Sequence, residues 1–148
     1  RISCAESCTG GLLGGAITEV PGASDVFEGG FITYANSAKS AILGVPIQLM
    51  DDVGAVSEAV ARAMAEGALM AANADLAVST TGIAGPGGGT DDKPVGLVHI
   101  AAAATGRGTL HIRRVFKGDR QSVREQTVET ALALLLEQAE TPPVKNQP

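Results

Sequence analysis

Residues 1–11, RISCAESCTGG, place the strongest constraint on the fold: a short apolar run ends at Ser7, and Gly10-Gly11 then open a helical stretch. A strand-to-helix elbow of this kind leaves a hydroxyl at a strand end, with the following backbone N–H groups facing whatever binds there. Such elbows hold nucleophiles. This one is not G-x-S-x-G, and no histidine partner is evident, because His99 and His111 both fall inside apolar or alternating, strand-like stretches. If Ser7 is a nucleophile, its base is expected not to be histidine.

The alternation continues along the chain. A helix is expected over 9–20, stopped by Pro21-Gly22, and a second strand over 29–35. Asn36 is read as the N-cap of a short helix over 37–43, closed by Gly44-Val45-Pro46. Ser57 caps a long helix to about residue 72 with Val60, Met64, Ala68 and Ala71 on one face. A third strand over 75–81 runs into the glycine-dense loop 82–89. Strands over 95–104 and 108–116, joined by Thr105-Gly106-Arg107, are expected as an antiparallel hairpin, which so short a link suits better than a parallel crossover. Asp119 caps a last amphipathic helix to about residue 138.

Aromatic residues make up only 3% of the chain, so its core must be built from Ala, Val, Ile and Leu, with helices lying close to a sheet. The expected fold is α/β: a three-layer α/β/α sandwich with a mixed, mainly parallel five-stranded sheet. One domain over 1–140 accounts for the length, and the polar, Pro142-Pro143-containing tail 141–148 is expected to be disordered. The first strand starts with nothing before it, which suggests further residues upstream. In such sheets ligands gather at strand C-terminal ends, so Ser7, Tyr34 and the glycine loop would meet at one rim if their strands are parallel.

A net charge of −5 argues against binding nucleic acid or an anionic membrane, both of which require a dense cationic face. No apolar run approaches the ~20 residues that span a bilayer, and no signal segment opens the chain, so a cytoplasmic location is expected. Cys4 and Cys8 lie four apart in an extended stretch, beyond disulfide reach at ~3.3 Å per residue, and are read as free structural thiols. Without a second Cys or His pair they are no metal site, and no cofactor is expected.

With histidine set aside, lysine is the available base, provided that burial lowers its pKa. Lys39, in the stretch TYANSAK over 33–39, is the candidate, with Tyr34 beside it. On residue statistics alone the plain reading comes first: Lys39 as a solvated helix residue and Tyr34 as a core aromatic. The loop 82–89 is read either as an anion-binding cradle or as a flexible surface loop; it lacks the Gly-Lys-Ser/Thr ending of a P-loop and is broken by Pro86. Arg120, in the first turn of the last helix, hints at an anion partner, and an acidic neighbour would explain it equally well.

Taken together, AESCTGG (5–11), PGAS (21–24), GGFITYANSAK (29–39), GAVSE (54–58), TGIAGPGGGT (81–90), KPVG (93–96) and FKGDR (116–120) resemble the CinA C-terminal domain family, whose best-known member type is a nicotinamide-nucleotide amidase. The resemblance covers the chain apart from its tail and implies a three-layer α/β/α sandwich, normally preceded by a helix that is missing here. It implies metal-free hydrolysis of the carboxamide of nicotinamide mononucleotide to nicotinate mononucleotide and ammonia, a salvage step in NAD metabolism. By motif, it makes Ser7 the nucleophile, Lys39 the general base and Tyr34 a neighbour that orients or relays the proton. Backbone N–H groups around Thr9 and Gly10 would stabilise the oxyanion. The phosphate is expected at Thr81, Gly82 and Gly85 with Arg120, and Asn36 is assigned to the pocket wall. The resemblance also implies a homo-oligomer. Two rivals are kept: a nucleotide- or partner-binding module of a competence- or damage-inducible protein with an idle site, and amidase chemistry on another small amide.

Overall fold

The computed structural model of the chain describes residues 1–142, so residues 143–148 of the expected disordered tail lie outside the described residues. Strand β1 (Ile2–Glu6) leads through a turn into helix α1 (Leu12–Thr18) and a single 3₁₀ turn (Ala23–Asp25). Next come β2 (Phe27–Ile32), α2 (Asn36–Leu43), α3 (Ile47–Val53), α4 (Glu58–Ala71) and β3 (Leu76–Gly82). The hairpin β4 (Leu97–Ala104) and β5 (Arg107–Val115) follows, and α5 (Arg120–Glu140) closes the domain.

The sheet order is β2-β1-β3-β4-β5. β1 pairs in parallel with β2 and with β3, while β4 is antiparallel to both β3 and β5. Four of the five strands therefore run the same way, as expected of a mixed sheet. One antiparallel pairing is expected from the sequence and two are present, because the chain returns from β3 to β4 without the helix that a parallel crossover requires. The C-terminal ends of β1, β2 and β3 share one rim.

The sheet is covered on both faces. Cys4, Val78, Ile100 and Ala102 pack with Leu13, Ile17, Val123, Ala131 and Leu134 on the α1/α5 side. Ala5 and Ala77 pack with Leu43, Val60, Met64 and Ala68 on the α2/α4 side. Alanine at the sheet surface brings α4 close, and Gly67 allows α4 to approach the Leu43 carbonyl at a distance that any Cβ would block.

Ser57 Oγ accepts from Val60 N and Asp119 accepts from Ser122 N, so both expected caps form. Three expectations fail. Asn36 is not a cap: Ala35 occupies that position, and Asn36 is the first helical residue. Helix α3 is not foreseen at all, because Pro46 reads as a stop, whereas it is the N-cap of the next helix. Helix α1 also starts later than expected, at Leu12, because Gly10 (φ 55°) and Gly11 (φ 111°) hold left-handed turn geometry.

On the α4 side of the hairpin, His99 Nδ1 and His111 Nε2 lie 2.9 Å apart, with Glu58 Oε1 at 3.6 Å from His111 Nδ1. Burial first, then the positive charge of His111 and Arg113, pushes His99 down to about 4. Below the ordinary pKa of 6.5 the unfolded chain takes up a proton that folded His99 refuses, so stability is full above that pH and declines as pH falls toward 4. Urea unfolding is expected to show a loss of about 2–3 kcal/mol between pH 7 and pH 4 that His99→Gln removes.

Candidate active site

The β1 terminus presents Ser7, whose N–H donates to Thr80 O across the sheet at 3.0 Å. Next to it on the rim, Thr33 N donates to Glu6 O at 2.8 Å, which brings the end of β2 and the start of α2 alongside. Lys39, one turn into α2, reaches back toward the sheet and is only 1% exposed. Its Nζ lies 3.0 Å from Ser7 Oγ, 2.8 Å from Thr33 O and 2.9 Å from Tyr34 O. As the ammonium, Nζ donates to all three oxygens; once neutral it keeps two N–H donors for the two carbonyls and turns a lone pair to Ser7. Burial lowers the Lys39 pKa from its ordinary 10.5, opposed in part by Cys8.

The plain readings of this stretch are thus overturned. Lys39 is buried rather than solvated, and Tyr34 is 61% exposed rather than a core aromatic. Tyr34 contacts Lys39 through its carbonyl, while its phenol oxygen meets Arg120 Nη2 at 3.3 Å. Arg120 Nη1 donates to Gly85 O at 2.8 Å, and among the described residues Arg120 makes no ion pair with a carboxylate. The two histidines bond to each other, and the hydrogen bond of Ser7 Oγ is to Lys39.

A cavity of about 230 Å³ opens onto the dyad, bounded by Cys8, Tyr34, Asn36, Val56, Thr81 and Arg120 among others. Gly82 also lines it, but its lack of a side chain serves packing, since a Cβ there would strike Val98 and the Leu97 carbonyl. Thr81 Oγ1 is tied to Ala55 O at 2.8 Å. Three expected binding residues stand outside the cavity wall: Thr9, Gly10 and Gly85. Gly85 contributes only the carbonyl that holds Arg120.

Of the expected oxyanion donors, the Gly10 amide is already engaged. Gly10 N–H donates to Ser7 O at 3.1 Å, and Leu12 N–H donates to Thr9 O at 3.0 Å. The amides of Gly11, Leu13 and Gly14 all converge on the buried Glu6 carboxylate at 3.2, 2.8 and 3.0 Å. The protein's own anion therefore occupies the N-terminus of α1, and Thr9 Oγ1 joins it at 2.6 Å. Of the amides from Cys8 to Gly14, only those of Cys8 and Thr9 donate to no oxygen among the described residues. Thr9 is fully buried and lies outside the cavity wall, whereas Cys8 is part of that wall, which makes Cys8 N–H the candidate donor to it.

Sequence reasoning missed Cys8, the wall residue Val56 and Arg124. Cys8 follows directly from the elbow, since the residue after an elbow nucleophile supplies its amide. Its thiol is a poor nucleophile: burial pushes it up to about 11, so it stays protonated at neutral pH. Arg124 lies one helical turn beyond Arg120, a spacing that puts both on one face of α5. Among the described residues no group of three His, Cys, Asp or Glu side chains is placed to hold a metal.

Thr33 supplies a carbonyl to Lys39, yet its own buried Oγ1 has no partner among the described residues. An unpaired buried hydroxyl is unfavourable by about 1–3 kcal/mol. Thr33→Val is expected to raise unfolding stability by about 1 kcal/mol in urea titration, with the backbone contacts to Lys39 kept.

The model of the CinA C-terminal domain family matches residues 1–139. A CinA-like protein of Anaeromyxobacter sp. (strain Fw109-5) is 53% identical over 135 residues, which is 91% of this chain and 33% of that protein. A CinA-like protein of Akkermansia muciniphila is 51% identical over 144 residues, 97% of this chain and 35% of its own length. The chain thus spans about a third of the length of the curated relatives it matches. The crystal structure of the competence/damage inducible protein CihA from Agrobacterium tumefaciens superimposes with a TM-score of 0.92 at 48% identity, covering 95% of this chain and 86% of that one. A CinA superfamily protein from Escherichia coli gives 0.89 at 39% identity, covering 93% and 80%. This chain belongs to the CinA C-terminal domain family.

Proposed function

We propose that the chain hydrolyses the carboxamide of nicotinamide mononucleotide to nicotinate mononucleotide and ammonia through an acyl-enzyme on Ser7. The observation that carries the reading is the buried Lys39 amine 3.0 Å from Ser7 Oγ, held there by the carbonyls of Thr33 and Tyr34. Lys39 takes the Ser7 proton as Oγ bonds to the carboxamide carbon, and the developing oxyanion is received by Cys8 N–H. The C–N bond then breaks, and the Lys39 ammonium returns the proton to the leaving nitrogen, which departs as ammonia. A water gives its proton to Lys39 and attacks the acyl carbon, and Ser7 leaves with that proton restored.

The cavity is smaller than the roughly 300–1,000 Å³ of pockets that enclose a drug-sized ligand. It suits the ring and its amide, and leaves the ribose phosphate at the mouth beside Arg120. The test is ammonia release and formation of nicotinate mononucleotide by purified protein without added metal. Release supports the reading; no release, with the nucleotide still bound, would favour a binding module, and release from other small amides alone would change the substrate.

A further inference from the structure

The guanidinium of Arg124, on α5, lies under the elbow. Nε donates to Cys8 O at 3.0 Å and Nη2 to Thr9 O at 3.1 Å. Gly10 makes this approach possible: it sits at φ 55°, and a Cβ there would lie 3.1 Å from Arg124 Nη2. Arg124 does not line the cavity, and neither does Thr9.

The bonds beyond these two carbonyls form a continuous chain. Thr9 O and Gly10 N–H belong to one peptide group, and in a trans peptide they point in opposite directions. Arg124 pulls on the oxygen, and the N–H at the other end donates to Ser7 O at 3.1 Å. Ser7 O in turn shares its peptide group with Cys8 N–H, the amide left over for the cavity. A positive charge thus acts through two peptide units onto the oxyanion donor. Each hydrogen bond accepted by a carbonyl strengthens the dipole of its own N–H, so the bonds reinforce one another.

We propose that Arg124 is a positioning residue: it fixes the elbow peptides and polarises Cys8 N–H as the oxyanion donor, without touching the substrate. The inference rests on the amidase reading above. It differs from an anion contact in what it changes, because a direct phosphate ligand would act on KM, whereas a polarised oxyanion donor acts on kcat.

Arg124→Gln and Arg124→Lys are to be compared with the parent in steady-state hydrolysis of nicotinamide mononucleotide and in amide NMR. Removing one oxyanion donor outright lowers kcat by about 10²–10³-fold, so weakening one is expected to lower it about 10–100-fold in Arg124→Gln, with KM within about twofold. Lysine can reach one carbonyl only and should fall between the two. The Cys8 and Gly10 amide protons should move upfield in both variants, a signature that is independent of turnover. Parental kcat in a folded Arg124→Gln, an effect confined to KM, or unmoved Cys8 and Gly10 amides would each overturn the proposal. A parent without turnover would refute the amidase reading, whereas the amide shifts would still report the hydrogen-bond chain. Should Arg124→Gln fail to fold, Arg124→Lys supplies the same readouts.

Discussion

Ser7→Ala is expected to abolish ammonia release from nicotinamide mononucleotide, with a fall in kcat of order 10⁶-fold, as when a hydrolase that works through a covalent acyl-enzyme loses its nucleophile. No neighbour can take over. The adjacent Cys8 thiol is held protonated by burial, and its side chain packs with the α1/α5 core. Folding should survive, because the substitution removes one hydrogen bond to Lys39 and leaves the carbonyls of Thr33 and Tyr34 in place. Calorimetric titration of the variant should give nucleotide affinity within a few-fold of the parent. Mass spectrometry of the parent quenched during turnover should find the acyl adduct on Ser7. A Ser7→Ala protein that releases ammonia at the parental rate would end the nucleophile assignment.

The elbow could be read from residues because it is local: an apolar strand, a serine and glycines that break the helix start. The caps of α4 and α5 were legible for the same reason. What escaped depends on partners far away in sequence or on competition among several acceptors. The amides after Ser7 look free to bind a ligand until Glu6, five residues before Gly11, folds back and takes three of them. Gly82 reads as part of a phosphate cradle, yet its lack of a Cβ is demanded by β4. The burial of Lys39 is equally hidden, because alanine and serine neighbours suit a solvated helix as well as a packed one; the loop 33–35 and the end of β1 decide it. Arg124 could be placed with Arg120 on one helix face, but its carbonyl partners lie more than a hundred residues away.

Lys39→Met should lower kcat about 10²–10⁴-fold, the range associated with losing a general acid–base group, while KM changes little. The variant should remain folded: methionine fills a similar volume, and loss of the hydrogen bonds to Thr33 O and Tyr34 O is offset by no longer keeping a desolvated amine. The pH dependence gives the sharper test, because the titratable groups nearby are pushed apart. Both histidines are lowered from 6.5, His99 to about 4, and Cys8 is raised to about 11. Lys39 is lowered from 10.5 by burial. As the base must be neutral, kcat/KM should rise with pH on a single proton loss whose midpoint lies below 10.5, the direction in which burial moves Lys39, whereas burial moves Cys8 the opposite way. In Lys39→Met the residual rate should lose that limb. If the same limb persists at reduced amplitude, another group carries the proton, and the serine–lysine assignment fails even though both residues lie in the cavity wall.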